Sequence, residues 1–368
     1  MRWLIAAGGT GGHVFPALSV ASALRDREPG VQVLFVGSRR GLEERVIPAQ
    51  GFSLRTLAAR GLMGLGWRGK LRSLMGLPWT AMQCLSILAS FRPHLVLGMG
   101  GFVSGPMVLL AAALGFPTAI AEQNAVAGRT NKMLGRFVGR VFLTFPESAQ
   151  AFPPGKVRLT GNPVRPELLK EAALAKPPAW TPGSELHLLV FGGSQGAQGI
   201  NRIMMDALPH LTALPLILRV LHQSAPGQIP ALREAYAAAG IAHELVDFIH
   251  HMERAYLWAH LVVCRAGSAS LAEVALFRRP TILIPFPHAV DDHQALNAQA
   301  FEAAGAALLF RQEGLTGKRL ASILDDLLKE PGRLAEMGER AGALARPDAA
   351  QRMVEECVGL IKGGEAHG

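Results

Sequence analysis

The sequence predicts an α/β protein made of two Rossmann-like, doubly wound parallel-sheet domains. Three observations point there. Short apolar runs such as Trp3–Ala7 and Leu261–Val263 alternate with stretches of helical periodicity, the pattern of strands covered on both faces by crossover helices. The pattern restarts near residue 186, where Leu186-His-Leu-Leu-Val-Phe-Gly-Gly-Ser194 repeats the logic of Trp3-Leu-Ile-Ala-Ala-Gly-Gly-Thr10. The length agrees, since 368 residues make two domains at roughly 100–200 residues each.

In chain order, the first half offers strands at Trp3–Ala7, Val31–Val36, Leu95–Leu97, Thr118–Ala121 and Val141–Leu143. Helical stretches at Ala17–Arg25, Leu71–Ser90 and Asn131–Phe137 lie between them. Leu95–Ala121 contains no charged residue, but glycines and Pro106 and Pro117 interrupt it. It therefore divides into strand, glycine turn, short helix and strand rather than supplying the ~20 continuous apolar residues of a membrane span. Gly161–Pro166 and Lys176–Gly183 are rich in breakers and read as a connection. The second half offers strands at His187–Phe191, Leu216–Leu221, Leu261–Val263, Thr281–Ile284 and Ala306–Phe310, with helices at Ile200–Leu208, Ala269–Phe277 and His293–Ala303. A last helix near Ala349–Ile361 is expected to return and brace the first domain. The expected division is 1–160, a connection 161–185, a second domain 186–345, and the returning helix with its tail 346–368. Folds of this type bind ligands in a crevice at the carboxyl ends of their strands.

Hydrophobic residues make up 49% and charged residues 18%, enough apolar mass for real cores, so a disordered chain is excluded. Aromatic residues are 6%, too few for a platform that stacks single-stranded nucleic acid. The three cysteines, Cys84, Cys264 and Cys357, fit neither a disulfide framework nor a zinc site and suit a reducing compartment. No secretory signal is visible, and a cytoplasmic protein is expected. The net charge of +9 is unevenly spread: residues 1–160 hold 18 Lys/Arg against 6 Asp/Glu, and residues 161–368 hold 19 against 22. An anionic ligand or surface is therefore expected on the first half. Within it, Arg60–Trp79 mixes Leu, Met, Trp67 and Trp79 with Arg60, Arg68, Lys70 and Arg72, the composition of an interfacial membrane patch. Arg129, Lys132, Arg136 and Arg140, at near-helical spacing, would extend that face.

Three glycine clusters follow strands: Gly8–Gly12, Gly98–Gly105 and Gly192–Gly196. Glycine there admits positive φ and close backbone approach, and the helix that follows aims free N–H groups at an anion. Phosphate or diphosphate binding is the expectation. None of the three clusters matches the spaced G-x-G-x-x-G of dinucleotide enzymes cleanly, and no Walker A motif occurs. No Asp-x-Asp occurs either, so no metal cofactor is expected, and helix dipoles with basic side chains would hold a nucleoside diphosphate.

Six motifs in register resemble the MurG family: Gly8-Gly-Thr-Gly-Gly-His13, Gly100-Gly-Phe-Val-Ser-Gly-Pro106, Glu122-Gln-Asn124, Gly161-Asn-Pro-Val-Arg165, Gly192-Gly-Ser194-Gln-Gly and Cys264-Arg-Ala-Gly-Ser-Ala-Ser-Leu-Ala-Glu273. The resemblance implies a GT-B glycosyltransferase fold whose two domains face an interdomain cleft. It implies inverting transfer of N-acetylglucosamine from UDP-GlcNAc to a polyprenyl-diphosphate acceptor, lipid I, in peptidoglycan synthesis. Peripheral attachment to the cytoplasmic face of the inner membrane, an anionic surface, is implied as well, with other cell-wall synthesis proteins as partners and no role for nucleic acid.

By the same resemblance, Glu273 accepts the ribose hydroxyls, and Ser194 and Arg165 meet phosphate. Ile249 reads the uracil edge through its backbone, and the run Ser268, Ala269, Ser270, Leu271, Ala272 and Glu273 lines the donor. Asn124 and Gln294 lie near the sugar hydroxyls, as amides that both donate and accept; His293 competes with Gln294 for that place. Thr10, Gly11 and Gly12 form the loop at the donor sugar and acceptor diphosphate. Inversion needs a base for the acceptor hydroxyl. His13 and Glu122 are the two candidates, His13 being equally readable as a structural hydrogen-bonding group. Two other readings share the architecture: a UDP-GlcNAc 2-epimerase and a diacylglycerol glycosyltransferase.

Overall fold

The computed structural model describes residues 1–39, 41–57, 76–174, 178–193 and 197–365. The chain divides into two compact units, Met1–Pro166 with Arg346–Gly368, and Glu167–Ala345.

The first unit is built on β1 (Arg2–Ala7), β2 (Gln32–Ser38), β3 (Ser53–Leu57), β4 (Leu95–Gly100), β5 (Thr118–Glu122), β6 (Arg140–Leu143) and β7 (Val157–Leu159). They form one sheet in the order β3-β2-β1-β4-β5-β6-β7, with every pairing parallel. Alternate residues of β1 serve opposite faces, as strand periodicity requires. Trp3, Ile5 and Ala7 pack with Val14 and Leu24 of the helix Gly11–Arg27 and with Met353, Val354 and Cys357 of the helix Ala349–Glu365. Leu4 and Ala6 pack on the other side with Cys84 and Leu88 of the helix Leu77–Phe91 and with Met107 and Val108 of the helix Ser104–Ala113. The last helix thus belongs to the first unit, and Glu356 fastens it by ion pairs to Arg140 (2.9 Å) and Arg158 (3.1 Å).

The second unit holds β8 (Leu186–Phe191), β9 (Leu218–Gln223), β10 (Ala242–Val246), β11 (Leu261–Cys264), β12 (Thr281–Leu283) and β13 (Ala307–Leu309). Their order is β10-β9-β8-β11-β12-β13, again parallel throughout.

Several expectations are corrected. The basic segment is helical only over Arg129–Leu134; Arg136 lies beyond its end, and Arg140 opens β6, held by Glu356. The connection is not breaker throughout, because a helix, Pro166–Leu174, runs across the boundary between the units, its proline in the first turn where no N–H is needed. Strands β3, β7 and β10 had no counterpart in the sequence reading. Among the described residues, no helix is long and apolar enough to cross a membrane.

Candidate active site

In the first unit the candidate residues gather at the carboxyl ends of β1, β4 and β5, around the point where strand order reverses between β1 and β4. β1 ends in Gly8-Gly9, and Gly9 turns at φ +94°. Thr10 is extended and precedes the helix Gly11–Arg27 without capping it through its side chain, so Gly11 and Gly12 present first-turn N–H groups to a ligand. His13 is the third residue of that helix, and its N–H donates to the Thr10 carbonyl (3.1 Å). Its half-buried ring lies against Gly100, where φ is +106° and any Cβ would overlap the imidazole. That is a position only glycine fills.

Glu122 closes β5 and is 3% exposed. Its Oε1 accepts from Asn124 N–H (3.1 Å) and from Asn124 Nδ2 (3.4 Å). Its Oε2 accepts from Gly128 N–H (2.9 Å) and Asn131 Nδ2 (2.9 Å). The carboxylate is therefore consumed in shaping the loop that presents Asn124. Arg165, after β7, stacks its guanidinium 5.1 Å from the Phe15 ring centroid, and Phe15 in turn packs beside Gly11. The two arms of this arrangement, the glycine turn and Arg165, are far apart in sequence and adjacent in the fold.

In the second unit the candidates again occupy strand carboxyl ends. Ile249 follows β10 and, with Phe248, Ala255 and Trp258, lines a cavity of ≈ 1100 Å³. Gly267 leads from β11 into the helix Ser268–Leu276 with no side-chain cap, leaving the amides of Ser268, Ala269 and Ser270 as donors. Leu271 is wholly buried and its N–H donates to the Gly267 carbonyl (3.0 Å), so it serves the core of the unit, while Ala272 and Glu273 are half-buried. Glu273 lies in the second turn and not the first, and its Oε2 accepts from the Tyr256 hydroxyl (3.1 Å). Gln294 is the second residue of the helix His293–Ala303, and its Oε1 accepts from Phe286 N–H (2.9 Å) at the loop after β12, leaving its N–H donors for a hydroxyl. The neighbouring His293 ring turns back to the Val290 carbonyl (2.8 Å).

Ser194 and the rest of its turn, Gln195 and Gly196, lie outside the described residues, as do Arg60, Trp67, Arg68, Lys70 and Arg72.

The fold also recruits residues that sequence reasoning passed over. Tyr256 reaches Glu273 from the helix Met252–Trp258 and is itself stacked on Phe277 (5.1 Å between centroids). Arg265, immediately after β11, donates to the Ile284 and Pro285 carbonyls (both 2.9 Å) and to Gln312 Oε1 (2.7 Å). One guanidinium thus ties the β11 loop to the β12 loop; burial lowers its pKa to about 10. Asp291 and Asp292 adopt φ +50° and +53° just before Gln294, and Arg311 holds Asp292 with two contacts (2.9 and 2.7 Å). Left-handed backbone at two successive non-glycine residues is strain stored beside the site. Only the tendency of Asp to tolerate that region was visible in sequence.

On the first unit, the helices Leu77–Phe91, Ser104–Ala113 and Arg129–Leu134 share one side of the sheet. Trp79 (58% exposed) and Met82 (60%) project from the first, Leu109 from the second and Met133 from the third, with Leu114 and Phe137 exposed just after the second and third. Arg129, Lys132 and Arg136 are exposed beside them.

Residues 3–143 match the glycosyltransferase family 28 N-terminal domain, and residues 187–353 match the glycosyltransferase family 28 C-terminal domain. A Myxococcus xanthus protein named UDP-N-acetylglucosamine--N-acetylmuramyl-(pentapeptide) pyrophosphoryl-undecaprenol N-acetylglucosamine transferase is 45% identical over 361 residues, covering 98% of this chain and 93% of its own. A Geobacter metallireducens protein of the same name is 45% identical over 358 residues, covering 97% and 98%. The crystal structure of Acinetobacter baumannii MurG superposes with a TM-score of 0.79 at 31% identity, over 97% of this chain and 99% of that one. Both units are therefore accounted for by one enzyme type, and the chain belongs to the MurG family of GT-B glycosyltransferases.

Proposed function

We propose that the two units divide one reaction between them, the first receiving a polyprenyl-diphosphate acceptor and the second the nucleotide sugar. The enzyme transfers N-acetylglucosamine from UDP-GlcNAc to the muramoyl hydroxyl of lipid I, giving lipid II. The observation that carries this reading is the match, along essentially the whole chain, to transferases of that name. The epimerase and diacylglycerol readings are not favoured, because those relatives cover both units at 45% identity.

In the transfer, the acceptor oxygen attacks the anomeric carbon from the face opposite UDP. The bond from that carbon to the phosphate oxygen breaks, and the configuration inverts. The leaving diphosphate gathers charge, which the open amides at the start of Ser268–Leu276 suit. Arg165 supplies a guanidinium matched to phosphate oxygens. Glu273 binds the ribose diol through its two oxygens, Gln294 and Asn124 address sugar hydroxyls, and the uracil edge meets the Ile249 backbone. His13 takes the acceptor proton; Glu122 is a positioning residue, since its four donors leave it no free direction. The reaction runs without a bound divalent ion, a reading supported by the lack of any Asp-x-Asp. The apolar and cationic side of the first unit rests on the cytoplasmic face of the membrane, where lipid I presents its headgroup.

The test follows UDP release from UDP-GlcNAc with and without a lipid I analogue, each with and without a chelator. Release that requires the acceptor and survives chelation is expected. Formation of the 2-epimer without acceptor would overturn the transferase reading, and loss with chelator would overturn the metal-free one.

A further inference from the structure

The first glycine turn is shaped by a carboxylate to which no role has been given above. Glu43 opens the short helix Glu43–Ala49 after β2 and is wholly buried. Its Oε1 accepts from Gly9 N–H (3.3 Å), Ser38 N–H (2.8 Å) and the Ser38 hydroxyl (2.5 Å), so one oxygen ties the turn after β1 to the end of β2. Its Oε2 is buried with no hydrogen-bond partner. The backbone around it is glycine wherever it must be. A Cβ on Gly8 or Gly37 would come within 2.8 or 2.7 Å of Glu43 side-chain atoms, and one on Gly41 would come closer still.

The packing then continues towards the reacting group. Gly101, at φ +82°, backs onto the Gly8 carbonyl so closely that a Cβ would overlap it, and its neighbour Gly100 lies against the His13 ring. A contiguous line therefore runs from Glu43 through Gly8-Gly9 and Gly101-Gly100 to the imidazole. A buried carboxylate with one oxygen unpaired is unfavourable for stability compared with an apolar side chain filling the same space. What an apolar side chain cannot do is accept the Gly9 amide.

We propose that Glu43 is a positioning residue for the transfer: by accepting the Gly9 and Ser38 donors it fixes the Gly8–Gly12 turn, and through it the placement of His13. This rests on the reading above that the turn and His13 meet the reacting groups. Glu43 touches neither substrate and acts only through the backbone it holds.

The experiment compares Glu43→Leu, Glu43→Gln and His13→Gln in the full-length enzyme, reading kcat, the KM of each substrate, and hydrogen exchange of the amides in residues 8–13. Glu43→Leu is expected to lower kcat at least about tenfold, the scale of a misplaced catalytic group. Its KM for UDP-GlcNAc should change less than kcat, because the run that holds the nucleotide lies in the other unit and the turn meets only the sugar end of the donor, and the Gly9 amide should exchange faster. Glu43→Gln keeps an acceptor oxygen and should hold kcat within about threefold. An unchanged kcat in Glu43→Leu, a donor KM that rises in step with the fall in kcat, or a Gln variant as impaired as the Leu variant would overturn the proposal. If Glu43→Leu does not fold, Ser38→Ala, which removes one of the three donors, decides: a smaller fall in kcat supports the proposal and none overturns it. His13→Gln separates the two levels. Full activity there removes the reading of the turn and this inference with it, whereas a dead His13→Gln beside an unaffected Glu43→Leu removes the Glu43 proposal alone.

Discussion

Two carboxylates near strand ends, Glu122 and Glu273, look alike in sequence and differ in what surrounds them. Glu122 is saturated by four N–H donors, whereas half-buried Glu273 receives the Tyr256 hydroxyl on one oxygen and sits beside the open amides of Ser268–Ser270. Replacing Glu273 by Ala removes hydrogen bonds to a charged acceptor, worth about 1.5–3 kcal/mol each. A fall in kcat/KM for UDP-GlcNAc of at least about a hundredfold is expected for two such bonds. Tyr256→Phe should cost about tenfold or less, seen mainly in the donor KM, since only the orientation of Glu273 is disturbed. Steady-state kinetics on both variants check this, and a Glu273→Ala enzyme with wild-type kcat/KM would remove the ribose role. Glu273 stood out in sequence only through its motif. Tyr256 did not stand out at all, because a hydroxyl seventeen residues away is joined to it by the turn between β11 and the next helix and not by any local spacing.

At the scale of elements, the second unit locks β9 to its covering helices through a polar network. His222, at 0% exposure, meets the Tyr236 hydroxyl (3.0 Å) and Asn201 Oδ1 (3.0 Å), and Asn201 Nδ2 donates to the Ser224 hydroxyl (2.7 Å) and to Gln228. Burial pulls the His222 pKa from 6.5 down to about 3, so the folded protein keeps it neutral where the unfolded chain protonates it. The unfolded state then binds more protons between those values, and stability is full above pH 6.5 and is lost as pH falls towards 3. Denaturant midpoints at pH 7 and pH 5 should separate less in His222→Gln than in the wild type; an equal separation would remove His222 as the cause.

The same scale shows why some strands were legible and others were not. β1, β4 and β5 are buried almost end to end and read as apolar runs. The three strands that escaped, β3, β7 and β10, are all sheet edges, half-exposed along their length. A strand paired on one side and wet on the other carries mixed residues such as Ser53-Leu-Arg-Thr-Leu57, and its apolar signal falls to that of a loop. The expected basic helix failed for a related reason: charge spacing alone does not reveal that Arg140 is needed to pair with Glu356, more than two hundred residues later.

For the molecule as a whole, the uneven charge seen in sequence has a counterpart on one side of the first unit. Trp79 and Met82 stand exposed there on the same side of the sheet as Arg129, Lys132 and Arg136, each cation worth about 1 kcal/mol at an anionic leaflet. Trp79→Ser with Met82→Ser should weaken co-sedimentation with anionic vesicles by about tenfold or more while leaving soluble-acceptor turnover intact. Unchanged sedimentation of the double variant would remove this side as the contact.

The return of the last helix to the first unit also sets an order of assembly. Residues Ala350, Met353, Val354, Cys357, Val358 and Ile361 complete the cluster around Trp3, Ile5 and Val14, whereas the second unit is one uninterrupted stretch, Glu167–Ala345. During synthesis the ribosome releases everything the second unit needs before it releases the closing helix of the first. The amino-terminal sheet must therefore wait, one flank of its core covered only in part by the helix Gly11–Arg27, until nearly the whole polypeptide has emerged.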